Sequence, residues 1–152
     1  MTIRNTVKRV MQQPNWYPNT LWNPDTAHTS IFSDHEFYDG RKTYAEIGGC
    51  YYASRLAVNE LLNKERRQAG VVVMREAHPG YIMPVGVWNV REAVRAAVKS
   101  KPTNFSSLNE SLNYISTKMD IPVKKWIETS SVLRDTQQQK RIVDFLRMKE
   151  WK

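Results

Sequence analysis

The sequence predicts an α/β or α+β fold: a mostly helical single domain with a small sheet and an aromatic-rich irregular amino-terminal arm. The 152-residue chain has an apolar fraction of 41% and a charged fraction of 25%, which is ordinary for one globular domain. Apolar residues recur at three-to-four spacing in several segments, as on one face of a helix. One short β-branched run, Val71 to Met74, has the composition of a buried strand.

The first predicted element is the irregular arm. Residues 12–40 are rich in Pro, Asn, Asp and Thr, which favour turns over regular structure. The same stretch carries six aromatic side chains, too many for a disordered linker. We therefore expect an arm that is strapped across the domain.

Helical periodicity begins at Tyr44 and gives way to a polar stretch at Lys64, and Gly70 is predicted to close this helix in the left-handed conformation. The predicted strand follows, and a loop is expected from Arg75 until a second helix over residues 87–99. Two further helices carry start signals. These are the Ser-x-x-Glu capping box of Ser107 and Glu110, and Pro122 at the first position of a short helix that reaches Trp126.

Positive charge is concentrated in the middle of the chain. The net charge is +8, and residues 41–101 hold eleven basic and five acidic residues. Such a block favours a polyanionic partner such as DNA, although the same charge also serves solubility. Arg91 and Arg95 lie one helical turn apart on a polar face, whereas Arg66 and Arg67 end a helix and also complement its dipole. The candidate phosphate contacts are Arg55, Arg66, Arg67, Arg75, Arg91 and Arg95.

Several classes of protein are disfavoured by composition. The single cysteine, Cys50, excludes an internal disulfide and a closed cysteine-zinc site, and a lone cysteine is more typical of core packing than of a nucleophile. The three histidines have no helical spacing, so no metal and no cofactor are predicted. No apolar run is long enough to span a bilayer and no signal peptide is apparent, so we expect a cytoplasmic, nucleoid-associated protein without a membrane partner.

The tail contains a spaced set of anchors for a DNA sliding clamp. Gln139 is followed at three-residue spacing by Ile142 and then by the apolar pair Phe145 and Leu146. A single 3₁₀-like turn would align the apolar side chains into one plug for a hydrophobic pocket. An amphipathic last helix packed on the core is the alternative. We predict a single domain over residues 1–135 and a flexible tail with this clamp-interacting box over residues 136–152.

Three strings in the middle of the chain carry a resemblance to a known family. They begin Gly-Gly-Cys-Tyr-Tyr-Ala-Ser-Arg-Leu-Ala-Val at Gly48, Arg-Arg-Gln-Ala at Arg66, and Pro-Gly-Tyr-Ile-Met-Pro-Val-Gly-Val-Trp-Asn-Val-Arg-Glu at Pro79. They resemble the carboxyl-terminal domain of archaeal NreA-type DNA-repair proteins over about residues 20 to 146. Two features differ: Ile82 replaces a usual tryptophan, and members carry an amino-terminal zinc-motif region that this sequence lacks. A separate chain that supplies this region is one candidate partner.

The resemblance implies a process, DNA repair, and no assigned reaction. The leading hypothesis is therefore a repair accessory protein, which binds the clamp through its tail and DNA through its basic middle. The runner-up is a DNA-processing enzyme, a nuclease or hydrolase, using Glu76, His78 and Glu92, although internal Arg–Glu pairs explain the same carboxylates. A third hypothesis is an RNA-binding protein whose aromatic arm stacks bases.

Overall fold

A computed structural model describes the backbone of residues 10–16 and all atoms of residues 29–78 and 86–138. It confirms a mostly helical α/β domain with a small sheet. None of the helices in these ranges is long and apolar enough to cross a membrane. The elements in chain order are β1 (Val10–Trp16), β2 (Ser30–Ile31), α1 (Gly49–Lys64), β3 (Val71–Ala77), α2 (Gly86–Lys99), α3 (Leu108–Ser116), α4 (Val123–Thr129) and α5 (Ser131–Gln138).

The sheet has the strand order β2-β1-β3. β1 runs parallel to β3 in a register that extends from the pair Val10–Val71 to the pair Trp16–Ala77, and β2 runs antiparallel to β1. The prediction of an irregular arm over residues 12–40 is therefore wrong for its first residues. Pro14 lies in the central strand although proline cannot donate a ladder hydrogen bond. The strand is formed by pairing with β3, which local composition does not reveal.

β3 extends beyond the predicted strand, through Ala77, because its last residues also pair with β1. Its side chains alternate between two helical layers. Val71 and Val73 pack with the core between α1 and α2, whereas Met74 packs with a second core built from α3, α4 and α5. At the centre of that second core lies Trp126, which is fully buried. The same alternation directs the next two side chains, Arg75 toward α2 and Glu76 toward the loop between α3 and α4.

α1 ends differently from the prediction. Gly70 is not the left-handed residue; Arg66 takes that conformation, with φ 50°. The Arg66 N–H donates to the Asn63 carbonyl and the Arg67 N–H to the Leu62 carbonyl, which together form a Schellman motif. An arginine therefore occupies a position where glycine would be favoured by about 1 kcal/mol.

α1 and α2 pack side by side and run in the same direction. Near their first turns a Cβ added to Gly49 would lie 2.4 Å from a Val87 methyl, so the close approach requires glycine. Further along, the Arg95 guanidinium donates to the Glu60 carboxylate at 2.7 Å. Gly49 precedes Glu60 along α1, and Val87 precedes Arg95 along α2, so the two contacts follow each other in the same direction on both helices. The carboxyl-terminal ends of α1 and α2 therefore lie at the same end of the domain.

The predicted start of α3 is confirmed: Ser107 is the N-cap, and the Glu110 carboxylate reaches back to the residue before it. The Ser107 hydroxyl accepts a hydrogen bond from the Glu110 N–H at 3.2 Å, and the Glu110 carboxylate accepts from the Ser106 N–H at 2.9 Å. These bonds to Ser106 lower the pKa of Glu110, and they fix the start of the helix. At the other end of the chain α5 reaches Gln138, so the first three residues of the predicted tail are helical.

The described part of the arm is held against α1 by one ion pair and one cation–π contact. Asp34 and Glu36 are both buried, and they pair with Arg41 and Arg55 respectively. The Arg41 guanidinium also lies over the ring of Tyr51, 4.9 Å from its centroid. This network fixes residues 34–55 as a unit, which agrees with an arm strapped to the domain.

Candidate functional site

The two parallel helices bring a set of cations together at one end of the domain, which we call the basic end. α1 contributes its last turn and the residues after it, and α2 contributes its last turn and the following loop. All of these cations are exposed to solvent. The basic end consists of Lys64, Arg66, Arg67, Lys99 and Lys101.

Within the basic end the guanidinium of Arg67 lies 3.4 Å from the Glu65 carboxylate, and both side chains are exposed. Among the described residues no carboxylate lies within ion-pair distance of Arg66, Lys64, Lys99 or Lys101. A cluster of exposed cations that lack carboxylate partners can approach a phosphate backbone without first breaking internal pairs.

The predicted pair Arg91 and Arg95 is arranged differently. The Arg95 guanidinium donates to Glu92 at 2.6 Å and to both oxygens of Glu60. These bonds, chiefly those to Glu60, raise the pKa of Arg95, and the bond from Arg95 is the main cause that lowers the pKa of Glu60. Arg91 Nε lies 3.6 Å from the same Glu92 carboxylate. Arg95 therefore ties α2 to α1, whereas Arg91 faces Glu92 within α2. Both are internal Arg–Glu pairs, which is the alternative that the sequence left open.

The remaining predicted arginines are also engaged. Arg55 Nε donates to Glu36 at 2.8 Å, and Arg75 donates to the Asn89 side chain of α2 at 3.3 Å. Of the six arginines proposed as phosphate contacts, Arg66 and Arg67 lie at the basic end. Sequence reasoning missed Lys64, Lys99 and Lys101. Their position in or next to the last turns was visible, but the parallel packing that joins them was not.

A second polar constellation lies at the carboxyl end of β3. The Glu76 side chain is only 7% exposed, and its two oxygens accept hydrogen bonds from the backbone N–H groups of Asp120 and Ile121 at 3.1 Å and 2.9 Å. Those donors lie in the loop between α3 and α4. A buried carboxylate thus fixes the α3–α4 loop against the strand.

His78 lies on the same face of the chain as Glu76, two residues further on. Its Nε2 is 3.4 Å from a Glu76 oxygen, and its Nδ1 is 3.5 Å from an Asp120 oxygen. Glu92 instead pairs with Arg91 and Arg95 of its own helix, α2. The structure therefore places His78 beside Glu76, and the second carboxylate next to them is Asp120 rather than Glu92. No local pattern could have indicated Asp120, since 44 residues separate it from Glu76.

A further prediction concerns the single cysteine. Burial raises the pKa of the Cys50 thiol, which keeps it protonated and disfavours a role as nucleophile.

The tail anchors Gln139, Ile142, Phe145 and Leu146 lie outside the described residues, so the clamp-interacting box stays a prediction from the sequence.

Comparison with known proteins identifies the family. The model of the carboxyl-terminal domain of archaeal Nre proteins matches residues 36–145. The chain therefore belongs to the archaeal Nre family.

Curated relatives carry the names DNA repair protein NreB and NreA. The NreB protein of Archaeoglobus fulgidus is 43% identical over 119 residues, which is 78% of this chain and 30% of that protein. NreA of the same organism is 39% identical over 73% of the chain and 27% of its own length. NreA of Haloferax volcanii is 38% identical over 62% of the chain and 23% of its own length. The chain thus spans less than a third of these relatives, and no solved structure matches it.

Proposed function

We propose that this domain is a DNA-repair accessory module, which contacts DNA through its basic end and a DNA sliding clamp through its tail. Membership of a family whose curated members are named DNA repair proteins is the observation that carries the process. The two contacts are assigned from the chemistry of the chain itself.

The basic end supports a contact with the phosphate backbone. It presents five exposed cations from two adjacent helix ends, whereas the arginines along α2 are occupied by Glu60 and Glu92. Lys and Arg side chains neutralise phosphates without choosing a base sequence. Arg66 adds a second argument: a cation occupies a left-handed position where glycine would be more stable. A helix needs only a glycine there, whereas a phosphate contact needs the arginine.

The tail supports a contact with a clamp. The spacing of Gln139, Ile142, Phe145 and Leu146 provides one polar group and three apolar anchors within eight residues. Short segments of this kind bind in hydrophobic grooves of their partners. The box follows directly after α5, whose Val132 and Leu133 are buried in the second core and fix the starting point of the tail.

The DNA contact predicts a specific change in salt dependence. Replacing Arg66 by glycine and Lys99 by alanine should reduce the log–log slope of affinity against salt by about two, because each lost phosphate contact removes about 0.9. All DNA sequences should be weakened alike. Arg66→Gly also relieves the left-handed strain, so a loss of affinity cannot be attributed to unfolding. Fluorescence anisotropy of a random duplex at several salt concentrations measures the slope.

The control for this experiment is Lys124→Ala with Lys125→Ala. It removes two positive charges, as many as the test variant loses. The two lysines are exposed on α4, which packs on the opposite face of the sheet from α1 and α2. We expect this variant to keep the wild-type slope. An equal reduction in both variants would mean that affinity follows net charge alone, and a reduction only in Arg91→Ala with Arg95→Ala would move the DNA surface to the length of α2.

A feature at the end of the arm and just after it favours one alternative, binding of single-stranded RNA. Tyr38 and Tyr44 are 67% and 70% exposed, and Lys42 lies between them in the chain. Exposed aromatic rings next to a cation can stack unpaired bases. The same anisotropy titration with a single-stranded RNA separates the two functions. The leading proposal predicts that Tyr44→Ala leaves duplex DNA binding unchanged.

A further inference from the structure

The structure assigns a divalent transition-metal site to Glu76, His78 and Asp120, at the carboxyl end of β3. One ligand atom from each residue can be chosen so that all three lie within 4.8 Å of one another. The site is independent of both the basic end and the tail, so its test does not depend on the proposed function.

The fold builds this site from one rigid ligand and two adjustable ones. Glu76 is buried, and two backbone N–H groups hold its carboxylate in place. A carboxylate has about four lone-pair sites, so these two bonds leave acceptor capacity on the oxygen that faces His78. His78 and Asp120 are 52% and 74% exposed, and their side chains can rotate toward a common ion.

The spacing of the nitrogen and oxygen atoms suits a metal better than direct bonds between the side chains. A charge-assisted N–H···O bond is about 2.7–2.9 Å long. His78 Nε2 lies 3.4 Å from the Glu76 oxygen, whereas the Asp120 oxygen lies 3.5 Å from the other ring nitrogen, Nδ1. Two ligands of a tetrahedral Zn²⁺, with metal–ligand bonds of about 2.0–2.1 Å, lie about 3.4 Å apart, which matches the pair of Nε2 and Glu76. Because one ion binds only one ring nitrogen, the exposed His78 and Asp120 side chains would have to rotate to bring an Asp120 oxygen to the same ion.

The ligand types define the class of ion. One imidazole and two carboxylates suit a borderline ion such as Zn²⁺, whereas Mg²⁺ and Ca²⁺ prefer oxygen ligands throughout. Three protein ligands leave a coordination position for water or a bound molecule, as in exchangeable sites rather than closed structural ones. The Asp120 backbone N–H donates a hydrogen bond to the Glu76 carboxylate, so the loop that carries one ligand is held beside the other.

The test uses ZnCl₂ as the probe and the chain without a histidine tag. We expect calorimetric titration to give one Zn²⁺ per chain and thermal unfolding to shift upward by about 5–10 °C at about a hundred times Kd. MgCl₂ at the same concentration should give no shift. Co²⁺ should give the visible d–d absorption of a bound ion, which is a readout independent of any activity.

The decisive variants are Asp120→Asn and His78→Gln, since both side chains are exposed and their replacement leaves the core intact. Each should raise the Kd for Zn²⁺ at least about tenfold and weaken the Co²⁺ spectrum. Asp135→Asn is the matched control, because it removes one exposed carboxylate from α5 and should bind Zn²⁺ like the wild type. If the wild type binds no Zn²⁺, or if Asp120→Asn and His78→Gln bind it unchanged, the assignment is wrong and His78 only bridges two carboxylates.

Discussion

Replacing Phe145 and Leu146 by alanine should abolish binding of the chain to a DNA sliding clamp and leave its melting temperature unchanged. These two residues form the adjacent apolar pair of the predicted box. Truncating an anchor that fills a hydrophobic pocket costs about 2 kcal/mol or more, so losing both should weaken Kd by at least about a hundredfold. Surface plasmon resonance on the immobilised clamp measures the affinity, and calorimetry of the free chain measures the melting temperature.

Met148→Ala is the matched control for this variant. It shortens a neighbouring apolar side chain of the same tail that lies outside the box spacing. We expect its affinity for the clamp to equal that of the wild type. If the double variant instead lowers the melting temperature by several degrees, Phe145 and Leu146 belong to the folded core, and the amphipathic-helix interpretation of the tail is correct.

The second large effect concerns stability. Replacing Glu76 by glutamine should destabilise the domain by about 2–4 kcal/mol, because the buried carboxylate accepts backbone N–H groups with both oxygens. A glutamine offers one oxygen, and its amide N–H₂ group would face a backbone donor without an acceptor between them. For a domain of this size the loss corresponds to a fall in melting temperature of about 5–15 °C.

Glu92→Gln is the matched comparison for Glu76→Gln. The Glu92 side chain is 40% exposed, and its partner Arg95 keeps its hydrogen bonds to Glu60 when Glu92 is neutralised. Exposed ion pairs contribute little, so we expect a change within about 0.5 kcal/mol. Urea denaturation of both variants decides the matter. Equal stability of Glu76→Gln and the wild type would show that the α3–α4 loop does not depend on this carboxylate.

The elements that could be predicted from the sequence are those whose signals are local. Helical periodicity indicates α1 and α2, the Ser107–Glu110 spacing indicates the start of α3, and the β-branched run indicates β3. Each signal lies within a few residues of the element that it predicts. The family resemblance was also carried by contiguous strings, and the match over residues 36–145 confirms it.

The features that could not be predicted depend on contacts between distant segments. β1 forms because its residues pair with β3, and its proline-containing composition indicates a turn instead. The left-handed conformation of Arg66 is imposed by the hydrogen bonds at the end of α1. Likewise, Arg95 and Glu60 are 35 residues apart in the chain, so their ion pair forms only because α1 and α2 pack together. Sequence alone showed the charges but not which of them are paired.

The most direct test of the proposed function is the affinity of two chains for a purified sliding clamp: the full chain, and a chain that ends at Gln138. The truncation removes the final 14 residues and keeps α5 and both cores, so the shortened domain should stay folded. The proposed function predicts binding of the full chain and none of the truncated one, with a peptide of residues 136–152 competing for the same site. Equal binding of the two chains would contradict it.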